Sequence, residues 1–501
     1  MKRNATELFG ACVFLTPNDL DSHYTTAISM NGFLKRNILL FFFLLTTSYH
    51  LQAQVTLMSY GGGRYGAGSC LFRDYQAIGI NPANVGIYTG SELQLTTGFL
   101  DANTLFFSDA LPKSDIVNSL LKGKELSTDE KVEVARQFLE NGNSFTAELM
   151  PVNFVIQFPK LGGFGFSWRE RISGSAIFSE PLADIVFNGI NSKYIDTIIT
   201  DIVGNQIGIF SDTINPLDLF NGSSIQYNWL REYNLTYGRK IIGHVGGINV
   251  YAGGSIKFLQ SNAFADVSFN NETISGFAAF SKVFDIDYAN FTDPASQLAG
   301  RLTPIGRGMG YDAGVTVSYR DKFFAAASVV DIGSIKYTGN LVTIDGAISD
   351  SMINYIGVNA ADIFTDFSSI FNADGLFKYL PSGEMKIPLA TQLRIGGAWK
   401  VAKKLDVGFD VIQSLNDQPG SALNTQYAAI ANFSPINNIK ITGGLSGGGF
   451  SDFDVPAGIS FSFFPEQIWQ LSIGTSDLIS IVKQDRPTIS LNISILRFHY
   501  E

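Results

Sequence analysis

Cysteine, histidine and charge are scarce in this 501-residue chain. It has two cysteines, Cys12 and Cys70. Cys12 falls in a leader described below, so Cys70 stands alone in the mature chain and an internal disulfide is excluded. Cys70 does not sit at the cleavage point, which excludes a lipoprotein anchor. Of the four histidines, His23 and His50 also belong to the leader. His244 and His499 are too few for a His-rich metal site, and no metal or cofactor is expected. Charged residues make up 16%, and acids outnumber bases 45 to 35. Removing the leader, with four bases and three acids, deepens the net charge from −10 to −11. The basic footprint of a nucleic-acid binder is missing. Beyond the leader no apolar run approaches the roughly 20 residues of a membrane-spanning helix, and no fixed-period repeat is visible.

The leader reads as a secretory signal. Met30 is followed by Lys35 and Arg36, then the apolar run Ile38–Leu45, then Thr46-Thr47-Ser48 and Leu51-Gln52-Ala53-Gln54. Cleavage is expected after Ala53 or Gln54. Residues 1–29 carry Glu7, Asp19 and Asp21 upstream of this signal and read as a gene-model extension, with residues 30–53 the signal peptide. Gly61-Gly62-Gly63-Arg64-Tyr65-Gly66 satisfies the G-x-G-x-x-G pattern. A dinucleotide loop needs a strand before it and a helix after it. Here a signal peptide precedes it, so the glycines read as a flexible, tightly turning segment.

What is abundant is glycine and aromatic residues: 50 Gly, 41 Phe and 19 Tyr. With low charge and a signal peptide, this points to an outer-membrane β-barrel. The alternative is a large secreted sandwich or propeller, and strand pattern arbitrates. In Tyr311–Arg320 one face reads Tyr, Ala, Val, Val, Tyr and the other Asp, Gly, Thr, Ser, Arg. The apolar face begins and ends in Tyr, as an aromatic girdle requires. The same alternation runs through 248–259, 389–400, 405–411, 164–169 and 227–237, where Arg231 is the exception. The second face is mostly Gly, Ser, Thr and Asn, which suits a crowded lumen better than bulk water. The last segment, Thr488–Tyr500, alternates and then shifts phase, which predicts a bulge. Candidate strands include 247–260, 262–274, 277–288, 323–332 and 335–344. The expected fold class is all-β: a transmembrane antiparallel β-barrel of 14 strands, with 16 as the second choice.

Three insertions break the pattern, near 113–142, 180–220 and 352–380. The first holds a capping box, Ser127-Thr128-Asp129-Glu130, and an amphipathic helix to Glu140. All three are expected to be helical at least in part. The barrel is expected over 91–501 and an N-terminal hatch over 54–90.

Gly66-Ala67-Gly68-Ser69, then Ala77, then Asn81-Pro82-Ala83-Asn84-Val85-Gly86 stand just before the first strand. This arrangement resembles the FadL-type long-chain fatty acid transporter family. It also resembles FadL-like barrels of Bacteroidetes, to which the stretch Val330–Ile335 is similar. The resemblance implies a hatch plugging the barrel, with Asn81, Pro82 and Ala83 as its gate. It also implies a passive channel for fatty-acid-like apolar molecules in the Gram-negative outer membrane, surrounded by outer-membrane lipids. Arg169, Arg394, Asp406 and Asp410 are candidate lumen charges, either for a carboxylate ligand or as ion pairs that hold the wall. A second reading, by the same resemblance, is a protein-interaction barrel with a partner from type IX secretion or surface assembly. An enzyme is not expected. Gly444-Leu445-Ser446-Gly447-Gly448 satisfies G-x-S-x-G, but that motif requires a strand–elbow–helix, and Ser446 ends a β-like run.

Overall fold

The computed structural model describes residues 68–108 (without 89 and 91), 143–200, 206–210, 221–270, 273–281, 303–338, 341–346, 352–353, 378–380, 383–416, 418, 424–449, 451–463, 469–483 and 488–500. The expected signal peptide, the glycine run at 61–66, the helix at 113–142 and most of 352–380 lie outside the described residues.

Fourteen strands close into one antiparallel barrel. In chain order they are β1 (Gln94–Ser108), β2 (Asn143–Phe158), β3 (Gly162–Ile177), β4 (Ser224–Val245) and β5 (Ile248–Asn270). Then come β6 (Gly306–Tyr319), β7 (Phe323–Thr338), β8 (Gln392–Ala402), β9 (Leu405–Ser414) and β10 (Gln426–Ile436). The last are β11 (Ile439–Gly448), β12 (Ala457–Phe463), β13 (Trp469–Thr475) and β14 (Thr488–Tyr500). Each pairs with the next, and β14 pairs with β1, so no edge is left. A membrane permits this solution because every backbone group finds a partner without water.

Connections alternate strictly. One rim has short turns, such as Leu161 between β2 and β3 and Gly246-Gly247 between β4 and β5. Gly246 and Gly247 take φ of 60° and 81°, as a two-residue hairpin turn requires. The other rim carries the long connections, including α1 (Glu180–Asn188) and the strand pair Ile195–Thr200 and Gln206–Phe210. The insertion near 180–220 is therefore part helix and part hairpin.

Lipid and lumen sort the side chains. On β6, Val315 is 44% exposed on the outside, while its neighbour Thr316 is 0% exposed inside. Near the short-turn rim aromatic pairs form a girdle: Phe164 with Tyr237 at 4.6 Å, Phe323 stacked on Trp399 at 5.7 Å, and Phe463 stacked on Trp469 at 4.6 Å. Arg231, which broke the pattern, faces outward. It pairs with Glu170, whose oxygens also accept from the indoles of Trp168 (3.1 Å) and Trp229 (2.9 Å).

Some expected strands merge. Residues 247–260 and 262–274 belong to one strand, β5, with a bulge at Asn262: Trp229 pairs with Ala263 but Leu230 with Ser261. The extra residue flips the apolar phase, which made one strand read as two. Likewise 323–332 and the start of 335–344, to Thr338, fall on β7, which shifts register between Val329 and Ile332, whereas 341–344 belong to a separate short strand, Leu341–Gly346. Of the segment read as 277–288, residues 277–280 belong to a hairpin extension, Thr273–Phe280, beside the long-loop end of β5, and 282–288 lie outside the described residues. The bulge expected in the last strand is present, opposite Gln470–Ser472.

A cation on the lipid face tests this orientation. Val315→Arg should cost about 2–4 kcal/mol, and Tyr319→Arg at the rim under about 1 kcal/mol, read by urea unfolding in phospholipid vesicles. Equal costs at the two depths would contradict the assignment.

Candidate functional site

Residues 68–87 fill the barrel at one level. Two short 3-10 turns, Asp74–Ala77 and Pro82–Gly86, shape the segment. Asn81 caps the second: its side-chain oxygen accepts from the Ala83 N–H at 3.2 Å. Pro82 follows at the first helical position, where its missing N–H costs nothing. Phe72, Tyr75, Ile78, Ile80 and Val85 form a small core of the hatch's own, closed by Met150 and Val155 of β2.

Asn81 and Asn84 tie this segment together and to the wall. The Asn81 amide donates to the Ser69 carbonyl (3.0 Å) and to Thr316 Oγ1 on β6 (2.8 Å). Thr316 in turn donates to Asn84 Oδ1 at 2.6 Å. Asn84 donates to the carbonyls of Ser69 (2.7 Å) and Phe72 (2.9 Å). Both asparagines are fully buried, so an apolar replacement leaves buried carbonyls unpaired. Ala83 packs against Ile87 and Tyr251.

The wall here has almost no side chains. Gly163 on β3, Gly238 on β4, Gly253 on β5 and Gly314 on β6 are consecutive cross-strand partners. A Cβ at Gly163 would strike the Val85 carbonyl, and one at Gly238 or Gly253 the Pro82 carbonyl. At Gly314 it would strike the Asn81 side chain. The same row continues through Ser328, which donates to the Ile80 carbonyl at 2.6 Å, and on the other side through Gln157, which donates to the Val85 carbonyl at 2.7 Å. Hatch backbone thus lies directly on wall backbone, flanked by two polar anchors.

Two further contacts lie around the circumference. Asp410 on β9 accepts from both the N–H (2.8 Å) and the hydroxyl (2.7 Å) of Ser69. Arg497 on β14 pairs with Asp74 at 2.7 Å. Cys70 is 1% exposed between Phe324 and Ala326. Burial, reinforced by the Asp410 carboxylate, pushes its thiol well above the ordinary value.

On the long-loop side of the glycine row sits a buried ionic network. Arg169 grips both oxygens of Glu232 at 2.7 Å. Arg171 reaches Glu232 (3.3 Å) and Asp331 (3.0 Å), and Lys257 reaches Asp331 (2.6 Å) and Asp312 (2.7 Å). Asp331 sits at the β7 bulge with φ of 60°, and its N–H donates to Asp312 at 2.9 Å. Beyond the network, toward the long loops, the interior turns apolar: Leu230, Leu259, Phe264, Phe277, Ile305 and Tyr337 pack together. On the short-turn side of the hatch lies a cavity of about 520 Å³, whose lining includes Cys70, Arg73, Phe324, Lys400 and Asp406.

The structure sends the four expected lumen charges to different places. Arg169 belongs to the network, Asp410 holds the hatch, and Asp406 lines the cavity beneath it. Arg394 is buried on the inward face of β8, beside Ser328. Glu232, Lys257 and Asp312 were on the polar face in the sequence but not singled out, because their meeting depends on cross-strand register. Asn84 and Ser69 stand in the two quoted motifs, but their bond to each other depends on how the segment folds back. Ser446 lies within β11, paired with Ala428, where no elbow forms.

A family model described as "Family of unknown function (DUF5723)" matches residues 83–472. A search of the curated proteins finds no match. Among solved structures, the chain is similar to the Ralstonia pickettii toluene transporter TbuX, at 10% identity over 89% of this chain and 99% of that one, with a TM-score of 0.42. It is also similar to the Pseudomonas putida toluene transporter TodX, at 9% identity over 89% and 99%, with a TM-score of 0.39. The translocator domain of the autotransporter NalP from Neisseria meningitidis matches at 6% identity over 83% and 90%, with a TM-score of 0.30.

Two substitutions separate hatch from wall. Asn81→Ala should weaken hatch docking by about 1–3 kcal/mol and raise the maleimide labelling rate of Cys70 by about tenfold. Glu232→Gln should destabilise the barrel by about 3–5 kcal/mol through uncompensated buried charge, lowering the urea midpoint without changing Cys70 labelling. A labelling rate unmoved by Asn81→Ala would remove Asn81 from hatch docking.

Proposed function

The chain belongs to that family, and we propose that it is a passive outer-membrane channel for apolar small molecules of the fatty-acid kind, gated by its hatch. The observation that carries this reading is how the hatch is held. Along four strands it meets a row of glycines, so at that level backbone lies on backbone, and wall side chains pack on the hatch only beside the row, as Tyr251, Met150 and Val155 do. Its polar ties to the wall include hydrogen bonds donated by Asn81, Ser328, Gln157 and Thr316, those that Asp410 accepts from Ser69, and one ion pair, Asp74–Arg497. Such bonds can be exchanged for bonds to water, since a neutral one is worth about 0.5–1.5 kcal/mol net and one to a charged group about 1.5–3 kcal/mol.

The character of the interior supports apolar cargo. An aqueous pore is lined by polar groups, whereas here the interior toward the long loops carries the Phe264–Phe277–Tyr337 cluster, with ring centroids 5.2–5.4 Å apart. In this reading Asn81, Pro82 and Ala83 form the gate, and Asp410 is a latch on Ser69. Arg169 braces the wall through Glu232 rather than receiving a ligand. The outward apolar face sits in outer-membrane lipid, and the short-turn rim faces the periplasm, as in other barrels of this kind.

Cys70 gives a direct test. Ala326→Cys places a second thiol against it, joining hatch to wall on oxidation. Uptake of radiolabelled oleate into proteoliposomes should fall at least tenfold in the oxidised variant and recover with reductant. Undiminished uptake through the cross-linked protein would overturn the gating role.

A further inference from the structure

Arg231, the exception in the sequence pattern, belongs to a charged row on the outside of the barrel. Register sets Glu170 on β3 opposite Arg231 on β4, Arg231 opposite Gln260 on β5, and Gln260 opposite Arg307 on β6. Arg307 stands opposite Lys336 on β7, and Lys336 opposite Lys386 on the short strand Glu384–Pro388. Their chain neighbours point inward: Leu230, Leu259, Ile335 and Ile387 belong to the apolar cluster in the lumen. A Cβ on Gly306, beside Arg307, would meet the same cluster at Ile335 and Tyr337. Successive side chains of a strand take opposite faces, so the row faces out. Arg307, Lys336 and Lys386 are exposed.

The row lies where the lipid ends. On β6 every outward position from Tyr319 to Met309 is uncharged, and Arg307 is the next. On β3 to β7, among the described residues, no outward position between the short-turn girdle and the row carries a charge. Tyr319 and Arg307 are twelve residues apart. At about 3.4 Å per residue and a tilt of about 40°, they differ in height by about 31 Å, against an apolar band about 25 Å tall. Arg307 therefore stands just past the band, at the level of lipid headgroups on the long-loop side.

Two of the four cations are already paired. Arg231 binds Glu170, and Lys336 binds Glu384 at 2.8 Å. Arg307 and Lys386, on either side of Lys336, have no ion-pair partner among the described residues. We propose that Arg307 and Lys386, with Lys336 between them, seat the phosphate of an anionic lipid. Its acyl chains would run down over Met309, Tyr311 and Ile332, which are exposed directly below. Guanidinium and ammonium groups suit phosphate oxygens, and basic clusters at a membrane surface attract anionic lipids. The place of the row argues for a lipid rather than a soluble anion, because a lipid phosphate is held at that boundary by its own chains. The proposal rests on the barrel and its lipid face, and does not depend on the hatch or on apolar transport.

The test is native mass spectrometry of the detergent-solubilised full chain, titrated with phosphatidylglycerol and with phosphatidylcholine. Both carry a phosphate, but choline neutralises it. The native protein should retain phosphatidylglycerol at least fivefold more tightly. Arg307→Gln and Lys386→Gln should each lower that preference at least twofold, and the double variant should abolish it. Lys404→Gln should leave it unchanged, since Lys404 lies at the short-turn rim with its ammonium on the Pro435 carbonyl at 2.7 Å. Heat-modifiable migration on gels verifies that each variant is folded, and the comparison of the two lipids reads the native protein alone. Diphosphoryl lipid A reports the lipid class: binding tighter than that of phosphatidylglycerol assigns the seat to a saccharolipid, weaker binding to a glycerophospholipid. Glycerol phosphate, a headgroup without chains, should not compete. Equal retention of the two lipids by the native protein, an unchanged preference in the double variant, or displacement of phosphatidylglycerol by equimolar glycerol phosphate would overturn the proposal. None of these outcomes bears on oleate uptake.

Discussion

Contact between two backbones is the constraint on which the rest of this structure depends. A barrel wall normally presents side chains to its lumen at every second residue. Here four neighbouring strands present none at one level, because Gly163, Gly238, Gly253 and Gly314 fall in register. The irregular chain from Asn81 to Gly86 can therefore lie flat on the wall. Its own polar groups are then satisfied by Asn81, Asn84 and Thr316 on one side and by Ser328 and Gln157 at the ends of the row. Irregular backbone is tolerated at membrane depth only where protein or water satisfies it in this way.

That contact divides the interior into unlike parts. Toward the long loops, Arg169, Arg171 and Lys257 are bound by Glu232, Asp312 and Asp331 on three strands, and an apolar cluster lies beyond them. Toward the short turns lies a cavity dominated by lysine and arginine. The ionic network ties β3, β4, β5, β6 and β7 together below the apolar cluster. Its burial makes each member costly to remove singly, whatever the net worth of the network. The network holds wall strands to one another, whereas Thr316, Ser328, Gln157, Asp410 and Arg497 hold the hatch to the wall.

Much of the barrel could be read from the residues, because lipid and lumen ask for opposite side chains at successive positions. Tyr311–Arg320 is legible for that reason, and β6 follows it residue for residue. Legibility failed where an extra residue shifted the phase, as at Asn262, or where a strand outran the membrane, as in β5 and β7. Asn81-Pro82-Ala83 was visible as a motif, since Asn and Pro mark a turn in one chain. The glycine row was not, although its members were counted among the abundant glycines. It exists only across strands, through a register that no single stretch of sequence contains. The same holds for Lys257 meeting Asp331, which are 74 residues apart. It holds again for the cavity, where Arg73 and Lys400 converge on Phe324.

The central claim is that the hatch is a body able to leave a wall that remains intact. Hydrogen–deuterium exchange of the protein in lipid tests it most directly, comparing peptides from 68–87 with peptides from 311–319. The account predicts that the hatch amides exchange together, at least tenfold faster than the strand amides, while β6 stays protected. Protection of the hatch equal to that of β6 would contradict it, and would make residues 68–87 a permanent part of the wall.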